Sequence, residues 1–190
     1  MAGSCLWAAR PAAAHPHVWI DADLSFVVRD GKVRALDIVW RFDEFFSAQM
    51  LLDFDRNRDG RLDAAELQAL SRQTQASLGE YSFFTHIRHG ERRQAVREVN
   101  GFRVEVEKGS VVYRFTVPLE EPADPRRSPL VVGLYDETYF VDIALDGKRG
   151  LRLDGEQIPG CRIDHGERAE EPIYFGSVYP LLTRLSCNAV

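Results

Sequence analysis

Residues 17–42 read HVWIDADLSFVVRDGKVRALDIVWRF, and the fold follows from how this stretch alternates. Val18, Ile20, Ala22, Leu24, Phe26 and Val28 fall on one side of an extended chain, and His17, Trp19, Asp21, Asp23 and Ser25 on the other. A period of two marks a strand with one buried face. Arg29-Asp30-Gly31-Lys32 carries the Asp-Gly pair that a tight hairpin turn favours. Residues 33–42 then return as a second, antiparallel strand. This pairing carries the segment from Trp40 to Asp43 back to the start of the first strand.

The next stretch changes character. Asp55-Arg56-Asn57-Arg58-Asp59-Gly60-Arg61-Leu62-Asp63-Ala64-Ala65-Glu66 fills every position of an EF-hand calcium loop. Asp55, Asn57 and Asp59 place oxygens at alternate positions, where they converge on one ion. Gly60 allows the sharp turn that a side chain resists. Arg61 contributes only its backbone carbonyl. Asp63 binds through a water, and Glu66 closes the shell with two oxygens. Before the loop, Phe45, Phe46, Leu51, Leu52 and Phe54 give a helix an apolar side. After it, Leu67, Leu70, Thr74 and Leu78 recur at helical spacing. A single loop, rather than a pair, points to a structural ion more than to a switch.

Further along, strands resume. Residues 81–87 begin one after Gly79, and residues 102–106 and 111–117 alternate about Lys108-Gly109 as a second hairpin. Residues 118–129, charged and proline-rich, read as a surface loop. Residues 130–135 and 139–145 are strand-like, and Asp146-Gly147 is a turn. Beyond it the pattern weakens into a loop-rich tail. His86 and His89 stand three apart, on opposite sides of a strand, which argues against a shared metal. No crossover spacing points to a parallel sheet. The expected fold is mainly β with an α insertion: an antiparallel β-sandwich interrupted by a helix–EF-hand loop–helix segment at about residues 43–79.

At the amino terminus, residues 1–14 have the makings of a signal peptide remnant. An apolar run, Cys5-Leu6-Trp7-Ala8-Ala9, precedes the small-residue cleavage signal Ala12-Ala13-Ala14. Cleavage there leaves one domain, residues 15–190, opening His15-Pro16-His17. The free amine and ring of His15 then chelate one ion, and His17 adds a third nitrogen. Imidazole suits zinc, copper and nickel. Pro16 lacks an amide proton, which rules out the usual amine–amide–amide–imidazole square that an X-X-His terminus makes around copper or nickel. Antiparallel pairing brings Asp43 and Glu44 towards this end. Asp43 has two readings, a metal ligand or the cap of the following helix, and it can serve as both.

The chain of 190 residues has a formal charge of −5; losing Arg10 with the leader makes it −5 − 1 = −6. A mildly acidic chain without basic clusters is a poor nucleic-acid binder. No apolar run in the mature chain is long enough to span a membrane. Once Cys5 leaves, Cys161 and Cys187 remain. In an exported chain such a pair reads as a disulfide, closing a loop of about 25 residues and worth roughly 3 kcal/mol; two buried thiols are the alternative. No serine or cysteine stands in a spacing that organises a base, so an enzyme is not expected.

His15-Pro16-His17-Val18-Trp19-Ile20-Asp21, Trp40-Arg41-Phe42-Asp43-Glu44-Phe45-Phe46-Ser47, the acidic loop and Tyr135-Asp136-Glu137-Thr138-Tyr139-Phe140 together resemble a bacterial periplasmic family of unknown function. Its members are often named as the periplasmic component of an uncharacterised ABC-type transport system, and are typically encoded beside nickel- or cobalt-type metal transporters. The resemblance covers nearly the whole mature chain, and His-Pro-His-Val-Trp is its most specific part. It implies export to the periplasm, transition-metal handling (nickel, cobalt, copper or zinc) and a membrane metal transporter as partner. The metal would sit on His15 and His17, with Asp43, Glu44 or Asp136 as helpers, and calcium would hold the fold. The other reading is a calcium-stabilised periplasmic interaction module with no transition-metal role.

Overall fold

The opening hairpin forms as its alternation predicts. β1 (Val18–Arg29) buries Val18, Ile20, Ala22, Leu24, Phe26 and Val28, and β2 (Lys32–Phe42) pairs with it antiparallel, Ile20 opposite Phe42. Asp30 and Gly31 take φ of 53° and 66°, the left-handed pair that the tightest hairpin turns require. The computed structural model describes residues 16–170 and 172–188; the expected leader at residues 1–14, with Cys5, and His15 lie outside them.

Two sheets pack around one core, with a helical insertion after β2, so the fold is the β-sandwich the sequence predicts. The six-stranded sheet runs β5 (Asn100–Glu107), β6 (Ser110–Ala123), β2, β1, β8 (Val141–Leu145), with β9 (Leu151–Gly155) also on β1. The five-stranded sheet runs β10 (Cys161–Arg168), β11 (Leu181–Cys187), β7 (Leu130–Leu134), β3 (Thr85–His89), β4 (Arg92–Gln94). Trp40, Phe26 and Leu36 from the first sheet meet Leu130, Val132 and Leu185 from the second in a single buried cluster.

Four local expectations are corrected. β8 and β9 lie parallel to β1, Val18 opposite Val141 and Leu24 opposite Leu151, as two halves of one edge strand interrupted at residues 146–150. Arg152 holds β9 there through the buried Ser25 hydroxyl, at 3.0 Å, and Asp23, at 3.5 Å. Gly155, at φ 88°, must be glycine because a Cβ would lie 2.4 Å from the Val28 carbonyl. Second, the charged stretch after Pro118 is not all loop. β6 continues to Ala123, and the register shift between Ala35↔Pro118 and Val33↔Ala123 takes up the residue that has no amide to donate. The Gln94 side chain, from the other sheet, holds this bulge through the Pro118 carbonyl and the Glu120 amide. Third, the tail is ordered as β10 and β11, joined edge to edge by the Cys161–Cys187 disulfide. Fourth, residues 82–84 form a 3-10 turn before β3. Ser82, Phe83 and Phe84 all have positive φ, and the buried Phe83 ring anchors them.

The insertion comprises α1 (Glu44–Phe54) and α2 (Ala64–Glu80). Polar contacts fasten it to the sheet. The buried Ser47 hydroxyl accepts the Val111 amide at 2.9 Å and donates to the Phe42 carbonyl at 3.4 Å. Ser71 donates to the Phe102 carbonyl at 3.3 Å, and the Thr74 and Tyr113 hydroxyls lie 3.5 Å apart. No helix among the described residues is long and apolar enough to cross a membrane.

Candidate functional site

The residues between α1 and α2 arrange their oxygens through the backbone. Asp55 accepts the Gly60 amide on Oδ2 at 2.8 Å and the Asp59 amide on Oδ1 at 3.2 Å. Asn57 Oδ1 accepts the Asp59 amide and Asp59 Oδ1 the Arg61 amide, both at 2.9 Å. Gly60 turns at φ 82° with open space around it, so its conformation rather than crowding calls for glycine. Asp63 caps α2, and Glu66 completes the capping box by accepting the Asp63 amide at 2.9 Å. The other Glu66 oxygen accepts the Arg56 amide at 2.8 Å, so the last loop residue reaches back to the first turn of the loop. Glu66 is only 6% exposed.

This donor set consists of hard oxygens at alternating positions on a closed turn, which matches calcium chemistry. In this arrangement the carboxylates face amides more than one another. Among the described residues no group of three or more His, Cys, Asp or Glu is set closely enough to hold an ion.

At the other end of β1, the His17 amide donates to the Phe140 carbonyl at 2.9 Å, and its exposed ring lies 4.9 Å from the Phe140 ring. Asp43 does reach this end. Its Oδ2 accepts the Trp19 amide at 3.0 Å and its Oδ1 the Phe46 amide at 2.9 Å, so it caps α1 while clamping β1. Glu44 lies exposed in the first turn of α1. Asp136 is buried, and accepts the amides of Thr138, Phe140 and Val141 and the Thr138 hydroxyl. His17, Asp43 and the Asp136 turn thus share one end of the sheet. The oxygens of both aspartates are engaged by the backbone there.

Sequence reasoning did not anticipate a cleft of about 560 Å³ beside β3, lined by His86, Arg93, Tyr135 and Glu137 among others. The His86 ring stacks flat on Tyr135, at 3.7 Å and 4°, and Nε2 lies 3.1 Å from the Tyr135 carbonyl. Burial lowers its pKa below the ordinary histidine value; the Tyr135 carbonyl and Glu137 oppose the shift and Arg93 assists it. His89 instead faces the Asp124 carbonyl at 3.2 Å, so the two histidines go to different partners. The signal available in the sequence was the run Tyr135-Asp136-Glu137-Thr138, whose stacking partner is far away in the chain.

The model of a protein family of unknown function, DUF1007, matches residues 1–174. An uncharacterised 15.5 kDa protein of Spirochaeta aurantia is 35% identical over 97 residues, 51% of this chain and 69% of that protein. An uncharacterised protein of Haemophilus influenzae is 23% identical over 141 residues, 73% of this chain and 66% of that one.

Proposed function

The chain belongs to the DUF1007 family of proteins of unknown function, and on that footing we propose that it is a periplasmic metal-binding accessory protein. Calcium on Asp55, Asn57, Asp59, the Arg61 carbonyl, Asp63 and Glu66 braces the helical insertion. His15 and His17 take a transition metal for a membrane transporter. The observation that carries the calcium half is the backbone network that ties Glu66 to the start of the loop. It holds Glu66, the last ligand position, against the start of the loop, which lowers the ordering cost of binding. The Cys161–Cys187 disulfide supports an oxidising compartment. The transition-metal half rests on His17 at the start of β1, beside Asp43 and Phe140, and on the family likeness drawn from the sequence.

A second reading, a calcium-stabilised interaction module, is favoured by Asp43 and Asp136. Their carboxylates already serve backbone amides. Elemental analysis of protein exported to the periplasm, together with its intact mass, separates the two. The first reading expects a chain starting at His15 that holds calcium and nickel, cobalt, copper or zinc, the latter lost in His15→Ala/His17→Ala. Calcium alone, with no histidine-dependent binding on titration, leaves the second. Absence of calcium from the wild type and no binding on titration would remove both.

A further inference from the structure

The helical insertion does not close completely on the sheet. A cleft of about 520 Å³ lies between α1, α2 and the face of β1, β2 and β6, with Trp40 and Tyr113 from the sheet, Met50 from α1, and Leu70 and Thr74 from α2 among its lining residues. Its size lies within the range of small-molecule sites. Most of the lining is aliphatic or aromatic.

One polar atom stands out. Trp40 is fully buried, and its indole Nε1 is the one buried side-chain nitrogen or oxygen among the described residues with no hydrogen-bond partner. The ring itself is well held, edge-on to Phe115 at 5.0 Å and stacked near Phe84 at 6.0 Å. A buried N–H without an acceptor is costly, so a native fold that keeps one invites an explanation. Two hydroxyls line the same cleft, the buried Tyr113 and the half-buried Thr74, 3.5 Å from each other.

Charge narrows the class of occupant. Among the described residues, Asp53 and Arg56 are the only charged ones that line the cleft, and both are exposed, at the loop end of α1. No cation among the described residues stands at the buried end, so an anionic group drawn to Trp40 would lose its hydration uncompensated by them. A neutral acceptor such as a ketone, aldehyde or ether meets no such penalty. We infer that the cleft between the helical insertion and the sheet binds a small, neutral, largely apolar molecule whose one hydrogen-bond acceptor takes the Trp40 indole N–H. The site borders the 55–66 loop through Arg56, but among the described residues no side chain proposed to hold either metal lines it.

The test uses 6-propionyl-2-(dimethylamino)naphthalene, a neutral aromatic ketone whose emission moves to the blue in apolar surroundings, titrated into the whole protein in calcium-containing buffer. Saturable one-to-one binding with a blue shift is expected. Trp40→Phe keeps a ring and removes the donor, and should weaken binding by about tenfold. Met50→Trp fills the cleft from a half-buried position on α1, and should abolish binding. Circular dichroism and thermal melts of each variant check that it is folded, and Met50→Trp decides the matter should Trp40→Phe fail to fold. No saturable binding by folded wild type, or equal affinity in wild type and Met50→Trp, overturns the site. Binding lost in Met50→Trp but unchanged in folded Trp40→Phe overturns the hydrogen-bonded class of ligand.

Discussion

The turn at residues 136–141 and the loop at residues 55–66 both shape backbone around carboxylates, yet they leave those carboxylates in opposite conditions. Asp136 stands alone, is 4% exposed, and receives three amides and a hydroxyl. Its lone pairs are consumed in fixing the chain that carries β8 onto β1. In the 55–66 loop four carboxylates and an asparagine share a short, mostly exposed turn; Glu66, 6% exposed with amides on both oxygens, resembles Asp136, but the other four receive only one or two amides each. Oxygens with lone pairs to spare, crowded on one turn, offer a cation what water offers it. What distinguishes an acidic ligand from an acidic brace is the ratio of donors to oxygens, which residue identity alone does not reveal.

The comparison can be broken at its stiffest point first. Asp136→Ala leaves buried amides without an acceptor and is expected to cost about 4 kcal/mol in urea unfolding; a loss below about 1 kcal/mol would mean the turn holds without it. The loop should behave in the reverse way, gaining stability from outside. Calcium at one hundred times its dissociation constant should add about 2.7 kcal/mol. Glu66→Gln, which keeps the side chain's length and one acceptor oxygen, should remove that calcium-dependent gain while the apo protein stays folded. A calcium-independent melting temperature in the wild type contradicts the assignment. Asp43 tests the intermediate case, a carboxylate shared between a helix cap and a strand. Asp43→Ala should cost about 1–2 kcal/mol, and if it also weakens transition-metal binding then the residue serves as cap and ligand together.

The smallest effect is a pH dependence beside the Asp136 turn. Burial lowers the pKa of His86 in the folded chain, and that of His165 likewise. The unfolded chain therefore binds the proton more readily. The contribution of these residues is fully present above the ordinary histidine value of about 6.5 and is lost as pH falls through the lower folded value. His86→Phe preserves the stack on Tyr135 and should flatten the fall in stability between about pH 7 and pH 5 relative to wild type. Parallel curves for the two proteins would show that His86 takes no part in it.

Much of the molecule was legible from local pattern. The alternation from Val18 to Val28, the Asp-Gly turn, the hairpin about Lys108-Gly109 and the helices flanking the acidic loop all form as read, because periodicity and turn chemistry act between near neighbours. The start of α1 was legible for the same reason, since Asp43 stands where a cap belongs, whereas the capping of α2 by Asp63 emerged only from the fold. Local reading failed where partners are distant. Nothing in residues 141–155 says that they will lie parallel to β1, since that pairing joins segments over one hundred residues apart and depends on Gly155 passing close under the Val28 carbonyl. The run of β6 past Pro118 likewise depends on a bulge held by Gln94 from the opposite sheet.

The same division applies to the candidate site. By itself, the sequence determined the mainly β architecture with its helical insertion and the acidic run from Asp55 to Glu66 between its helices, and it made Cys161–Cys187 the expected pairing, because each follows from spacing along the chain or from the few residues available. Only the tertiary structure decided that Asp136 is a buried brace, that Asp43 clamps Trp19 while capping α1, and that Trp40 keeps an unanswered indole N–H beside a cleft. A side chain's hydrogen-bonding capacity is used up by whatever the fold brings against it, and in all three cases the deciding neighbours, or their absence, belong to the packed fold rather than to the local spacing of the chain.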